Sequence, residues 1–320
     1  MRAVWLKEFG GPEVLVVAET PDPVAGPGQA LVEVAFANIT FVETQLRAGG
    51  AGPFRPELPM IPGNGVGGVV TSVGAGVDGA LVGRRVIGGT GGSGGYAERV
   101  AAEAGALIEV PDGLDLDAAV ALLADGRTAT MMLRAAGVRA GERVLVEAAA
   151  GGVGTLLVQL AAAAGAEVVA VAGGARKVAL ARDLGADVAI DYLEPDWADR
   201  VREATGGVDV VFDGVGGAVA HSAFGLLGRG GRMLSFGLAS GQWASIPEET
   251  AAERGVSLVR AQASPQEMRG FTESALAEAA AGRLRPVIGQ RFPLERAADA
   301  HAAIQSRATV GKTLLEVREL

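Results

Sequence analysis

The sequence predicts an α/β protein in which a mainly β part is joined to a doubly wound, six-stranded parallel sheet. Three observations carry this. From Arg143 onward, short apolar runs (RVLVEA, EVVAVAG, DVAI, VDVVFDG, GRMLSFG, VSLVRA) alternate with helical segments at 154–164, 175–184, 195–204 and 217–227. Nearly continuous apolar strands with crossover helices indicate a parallel sheet covered on both faces. A glycine turn, EAAAGGVGTLLVQL at 147–160, stands between the first of these strands and its helix. The first 123 residues, by contrast, are strand-like and broken by Pro and Gly clusters.

In that first part, EVLVVAE, ALVEVAFA, GVGGVVTSVG and GRRVIGG are short β-rich runs separated by breakers such as PDPVAGPG and PELPMIPG, which favours a compact, irregular barrel or sandwich. The stretch DLDAAVALLADGRTATMMLRAAG is helical, with Asp115 or Asp117 able to cap its start and Gly137 its end. After residue 265 come a long helix, a strand near RPVIGQRF, a helix at 294–306 and a last strand KTLLEV, a tail expected to fold back onto the first part. The expected domains are therefore 1–123, 124–265 and a return segment 266–320, with no repeat and no low-complexity linker.

Composition narrows the function classes. The formal charge of −9 comes without a basic cluster, which argues against nucleic acid or an anionic membrane as partner. The chain has no cysteine, so disulfides, iron–sulfur clusters, cysteine–zinc sites and thiol nucleophiles are excluded. The 49 glycines, about twice the usual share of roughly 7%, follow no Gly-X-Y period and read as tight turns and close backbone approaches. MRAVWLKEFGG lacks the apolar core of a signal peptide, and Gln159, Gly165 and Glu167 interrupt the apolar stretch 155–175, so the expectation is a cytoplasmic protein outside the membrane.

The glycine turn sets Gly151, Gly152, Val153 and Gly154 at the start of a helix, with Ala149 at the first position of the dinucleotide fingerprint. A tight turn, a backbone without Cβ and free helical N–H groups together suit a pyrophosphate, and the strand–turn–helix context supports that over a plain connection. An NAD site ends its second strand in Asp or Glu. Here that strand ends AVAGGARK, with Gly173 and Gly174 in the acid's place and Arg176 and Lys177 following. Cations at a helix start are unfavourable without an anion, so NADPH is the expected cofactor, and Tyr192, just past the third strand, could reach the same phosphate or pack under the adenine.

With these residues in view, the chain resembles the medium-chain dehydrogenase/reductase superfamily, and within it the zinc-free quinone oxidoreductase (zeta-crystallin-like) branch. The likeness runs through MRAVWLKEFGGPEVL, PGNGVGGVVTSVGAGV, GGYAERV, the glycine turn, LARDLGADVAIDY, VFDGVGG, GGRMLSFG and GKTLLEV. It implies a GroES-like catalytic domain, a Rossmann domain inserted before its last segment, a cofactor in the cleft between them, and a homodimer. An apolar sixth strand, VSLVRAQ, would suit sheet extension across a two-fold axis. Zinc relatives carry a catalytic Cys and a Gly-His-Glu triplet. Here Asn64 and Gly65 replace the imidazole and carboxylate, and the two histidines, His221 and His301, read as helix-surface or packing residues. No metal is expected, which leaves the cofactor to carry the chemistry. Hydride transfer to a quinone or an α,β-unsaturated carbonyl fits, and the Tyr-x-x-x-Lys pair of short-chain reductases is missing at both Tyr96 and Tyr192.

The resemblance places Asn38, Thr40 and Glu43 in a loop facing the nicotinamide, where many relatives read Asn-Phe-x-Asp and this chain reads TFVE. Thr40 and Glu43 also suit a capping box at a helix start, and both roles are compatible. Asn64 is either a donor to a substrate oxygen or the holder of a turn. Thr128 matches a position beside the nicotinamide, and Thr130 stands where relatives show Tyr. Asp125 and Arg127 read as a solvated ion pair. Gly214, Phe236 and Gly237 follow the fourth and fifth strands and would line the cofactor, while Lys312 reads as a cofactor contact or a surface residue. Phe41, Phe54 and Trp243 are candidates for an apolar substrate wall. Two other readings stay open: an enoyl-thioester reductase, and a low-turnover NADPH-binding sensor or structural protein.

Overall fold

The computed structural model describes residues 1–50 and 56–318; Phe54 lies outside them. The chain divides into two compact units, Met1–Ala124 with Leu276–Leu320, and Asp125–Ala275.

In the first unit β1 (Arg2–Leu6) pairs with β2 (Leu15–Glu19), and β3 (Gln29–Ile39) runs directly into α1 (Phe41–Arg47). Then follow β4 (Gly65–Val73), β5 (Arg85–Gly89), β6 (Arg99–Glu103), β7 (Leu107–Glu109) and the long α2 (Leu116–Ala136). Alternation in β3 turns Ala30, Val32 and Val34 fully inward, each with no exposed surface. Opposite it, β4 is glycine-rich for a steric reason: a Cβ on Gly68 would stand 1.9 Å from the carbonyl oxygen of Glu33.

The second unit alternates strand and helix: β8 (Arg143–Val146), α3 (Gly152–Ala163), β9 (Glu167–Ala172), α4 (Ala175–Asp183), β10 (Val188–Asp191), α5 (Trp197–Thr205), β11 (Val208–Asp213), α6 (Gly217–Leu226), β12 (Leu227–Ser235), α7 (Glu248–Glu253) and β13 (Ser257–Leu258). The strands are parallel and ordered β10-β9-β8-β11-β12-β13. In order of appearance this is 3-2-1-4-5-6, the doubly wound arrangement whose direction reverses between the first and fourth strands. Apolar runs produce it because both faces are covered: Val144, Leu145, Val146, Val168, Val169 and Val171 have no exposed surface. The sixth strand is shorter than VSLVRA suggests. It ends at Leu258, and Arg260 beyond it is solvent-exposed and paired with Glu248.

The tail comprises α8 (Pro265–Ala280), β14 (Ile288–Pro293), α9 (Ala297–Gln305) and β15 (Lys312–Glu316). β15 pairs antiparallel with β3, from Thr313 opposite Ile39 to Glu316 opposite Phe36, so the tail completes the first unit's sheet. The return falls at Leu276, inside α8 and later than residue 266. Among the described residues no helix is long and apolar enough to cross a membrane.

Replacing Gly68 by Ala is expected to destabilise the protein by about 1–3 kcal/mol, because the added methyl meets backbone rather than a movable side chain. A lower urea midpoint at an unchanged slope would register this, and an unchanged midpoint would contradict it.

Candidate active site

In the second unit the features that matter gather at the carboxyl edge of the parallel sheet, where doubly wound proteins bind ligands. The turn after β8 places Gly151 as the N-cap of α3, with no side chain closing the helix start. Gly154 allows the helix to sit on the turn: a Cβ there would lie 2.2 Å from the Ala148 carbonyl oxygen. Gly152 faces Asp125, whose Oδ2 lies 2.0 Å from where a Cβ would be. Asp125 is buried, so its expected solvated pairing with Arg127 is corrected; burial pulls the Arg127 pKa down against the Asp125 charge. Val153 follows in the first turn of α3, and Thr128 is half-buried on α2.

At the end of β9, Gly173 lies under the ring of Tyr192, whose atoms come within 3.3–3.4 Å of a would-be Cβ. Gly174 has φ +93 and caps α4, whose first turn contains Lys177 and no acid. The Gly174 N–H donates to Asp191 Oδ1 at 3.0 Å, and the same oxygen accepts from the Leu193 N–H at 2.9 Å. Beyond β11 and β12 two loops interlock. Phe236 N–H donates to Asp213 O at 2.8 Å, a Cβ on Gly214 would meet the Phe236 ring at 2.6 Å, and one on Gly237 would meet Gly214 O at 2.7 Å.

In the first unit Glu43 is the centre of the candidate site. Its Oε2 accepts the Thr40 N–H at 2.6 Å and the Thr40 hydroxyl at 3.1 Å, and its Oε1 accepts the Asn64 N–H at 2.9 Å. Thr40 and Glu43 thus cap α1 in the capping-box arrangement. Burial pushes the Glu43 carboxyl above its usual range, outweighing these donors and the Lys312 charge that favour the anion. Asn64 accepts the Gly92 N–H on its Oδ1 at 2.7 Å, which supports its turn-holding role. Asn38 is buried with its Oδ1 lacking a protein partner. Lys312 is only 4% exposed, so it is not a surface lysine. Phe41 is half-buried and Trp243 is 52% exposed.

Two residues given no site role by sequence complete this cluster. Tyr96 and His301 are fully buried, with Tyr96 Oη 3.0 Å from His301 Nε2 and their rings edge to face. The Tyr96 ring packs on Gly63, next to Asn64, and burial together with the neighbouring Glu43 carboxyl raises the Tyr96 pKa well above its ordinary value. Burial holds His301 neutral, its pKa lowered to about 3. The signal available was GGYAERV, but its partner lies 205 residues away. His221 is exposed, its Nδ1 2.8 Å from Gly217 O. Among the described residues no group of three His, Cys, Asp or Glu side chains is placed to hold a metal ion.

Comparison with known proteins identifies the family. Residues 26–112 match the alcohol dehydrogenase GroES-like domain, and residues 152–276 match the family described as zinc-binding dehydrogenase. Together with full-length relatives, these matches place the chain in the medium-chain dehydrogenase/reductase superfamily, among the quinone oxidoreductases. The quinone oxidoreductase of Rattus norvegicus is 35% identical over 98% of this chain and 97% of its own length. The Escherichia coli quinone oxidoreductase, solved in complex with NADPH, is 30% identical with a TM-score of 0.91, covering 99% of this chain and 100% of its own. A structure described as an NAD-dependent alcohol dehydrogenase is 33% identical with a TM-score of 0.90, with coverage of 99% and 100%.

The Tyr96→Phe variant leaves the buried His301 without its partner, a loss of about 1–3 kcal/mol. Equilibrium denaturation is expected to show this cost, and wild-type stability would remove the buried pair from the list of stabilising contacts.

Proposed function

We propose that the chain is an NADPH-dependent oxidoreductase that delivers hydride to quinones or to α,β-unsaturated carbonyl compounds without zinc. The observation that carries the reading is the end of β9: glycine in place of a ribose-binding acid, a tyrosine ring over it, and Lys177 in an acid-free helical turn. A 2′-phosphate fits this arrangement, whereas an NAD site would place a carboxylate there.

The chain's residues fit that cofactor. The uncapped start of α3, with Gly151, Gly152, Val153 and Gly154, suits the pyrophosphate, and the interlocked Gly214, Phe236 and Gly237 offer backbone to the nicotinamide half. Gly173, Lys177 and Tyr192 would take the phosphate-bearing ribose, while Asn38, Thr128 and Lys312 are assigned to the nicotinamide side. When bound, NADPH supplies the hydride from C4 of its nicotinamide. Thr40, Glu43 and Asn64 would then serve the substrate oxygen on which negative charge develops. Glu43 is buried and Thr40 half-buried, and Glu43 Oε2 touches the Thr40 hydroxyl. A proton held on Glu43 therefore has a path outward through Thr40 Oγ1 to that oxygen.

Independence from zinc is supported by the donor inventory: no cysteine, His301 committed to Tyr96, and Asn64 and Gly65 in place of ligands. By kinship the protein is proposed to be a cytoplasmic homodimer.

Oxidation of NADPH against NADH, with a simple quinone and a simple enone as acceptors, tests the reading. NADPH is expected to be preferred, and Lys177→Ala should weaken NADPH use roughly tenfold, about 1.4 kcal/mol, with little effect on NADH. Equal use of the two cofactors would sink the NADPH assignment, and turnover that requires stoichiometric zinc would sink the rest.

A further inference from the structure

The second unit contains two acids at the place where its sheet reverses direction. Glu147 follows β8 and Asp213 ends β11, the first and fourth strands of the doubly wound order. Neither has any exposed surface. The Val215 N–H is shared between them, 3.2 Å from Glu147 Oε2 and 3.1 Å from Asp213 Oδ1. Asp213 also accepts the Gly216 N–H at 2.7 Å and the Ser235 hydroxyl at 2.7 Å, while Glu147 Oε1 is buried without a protein partner.

Two like charges that share one donor, both fully buried, oppose each other's ionisation, which favours a proton kept by the pair. The donors decide where it rests. Asp213, with two N–H groups and a hydroxyl, carries the negative charge, and Glu147 carries the proton. Burial and the facing Asp213 charge raise the Glu147 pKa well above its ordinary value, against the Val215 and Gly214 N–H groups that favour its anion.

We propose that Glu147 is a positioning residue that works as a neutral acid, sharing one proton with Asp213 so that the ends of β8, β11 and β12 are tied together and the loops beyond them are held for the cofactor. The loops are already joined: Phe236, Ala239 and Ser240 N–H groups donate to the carbonyl oxygens of Asp213, Gly214 and Val215 at 2.8, 3.2 and 2.8 Å. Both loops hang from the Asp213 carboxylate, through Val215 and Gly216 on one side and Ser235 on the other. Loss of the shared proton sets two anions side by side beneath them and loosens both. The link to cofactor rests on the NADPH reading above; the proton pair itself does not.

The sign follows from linkage. A carboxyl whose folded pKa is raised contributes stability that is fully present below its unfolded pKa and is lost as pH rises through the folded value. Wild-type stability should therefore fall, relative to Glu147→Gln, from the ordinary glutamate range upward. NADPH affinity should fall in the alkaline limb, at most about tenfold per pH unit, the limit for one proton. Glutamine reproduces the neutral acid's donor and acceptor and does not ionise, so its affinity should be flat over that limb.

The experiment combines pH-difference infrared spectra, thermal melts across pH, and NADPH titration by fluorescence. In the wild type a carboxylic-acid carbonyl band is expected at neutral pH, and Glu147→Gln should remove it. Asp213→Asn removes the facing charge, so the band should titrate away at lower pH than in the wild type; this arm decides the matter if Glu147→Gln does not fold. Absence of an acid band sensitive to either change, or a Glu147→Gln profile that tracks wild type, overturns the proposal. If NADPH fails to bind at any pH, the cofactor reading fails, while the band and the stability slope still report on the acid pair.

Discussion

The nucleotide half of the molecule depends on one close approach: Gly154 on α3 against the carbonyl oxygen of Ala148, where a Cβ would stand 2.2 Å away. Because that Cβ is missing, the chain leaves β8, turns within a few residues and enters α3 directly above the carboxyl edge of the sheet. Ala148 takes the left-handed region, φ 47, to make the turn, a conformation that costs a non-glycine residue about 1–2 kcal/mol. Its neighbours are fully buried on both sides, Glu147 before it and Ala149 after it, so the surroundings hold the strained residue in place. The helix start is thereby fixed at the switch point between β8 and β11, and the loops after β11 and β12 are arranged around the same edge.

Each unit also buries an acid, and in each the environment decides what the acid can do. Glu43 is surrounded by donors from Thr40 and Asn64, with the Lys312 charge near, yet burial still raises it. Glu147 faces a second carboxylate, so burial and like charge act together. In the first, burial is opposed by donors and a cation, which suits the proton traffic proposed at a substrate; in the second, burial and like charge act the same way, which suits the neutral scaffold role proposed for it. A single sequence feature, Glu among apolar residues, therefore has two outcomes, set by partners distant along the chain.

That distance explains what the sequence could and could not disclose. Strand and helix runs in the second unit follow from apolar periodicity and local breakers, so AVAGGARK, VFDGVGG and the glycine turn can be placed on it from the sequence. α2 ends where Gly137, at φ +59, permits it, another local cue. The buried polar contacts are different. Tyr96 meets His301 across 205 residues, and Arg47 reaches Gln305 across 258. No local pattern distinguishes such residues from solvated ones, which is why Asp125 reads as half of a solvated ion pair yet is buried, and why Lys312 reads either as a cofactor contact or as a surface residue. The sixth strand is shorter than its apolar run for the converse reason: Val259 has strand character and its N–H still reaches Met233 O at 2.9 Å, but the regular strand stops at Leu258 and Arg260 beyond it is exposed and paired with Glu248.

The same contrast bears on cofactor choice. An acid does stand near the end of β9, but it comes from β10, and one of its two oxygens is bound to backbone. Asp191 Oδ1 accepts from both Gly174 and Leu193, so this acid holds the turn into α4. Gly174, at φ +93, could not present a side chain from that position without strain, and Gly173 is covered by Tyr192. With the acid's usual position closed and Asp191 Oδ1 bound to backbone, the first turn of α4, which has Lys177 and no acid, is the part of this edge that the proposed reading gives to an anion. On the proposed reading, the preference for a phosphate-bearing cofactor rests on where a carboxylate is held as much as on where one is missing.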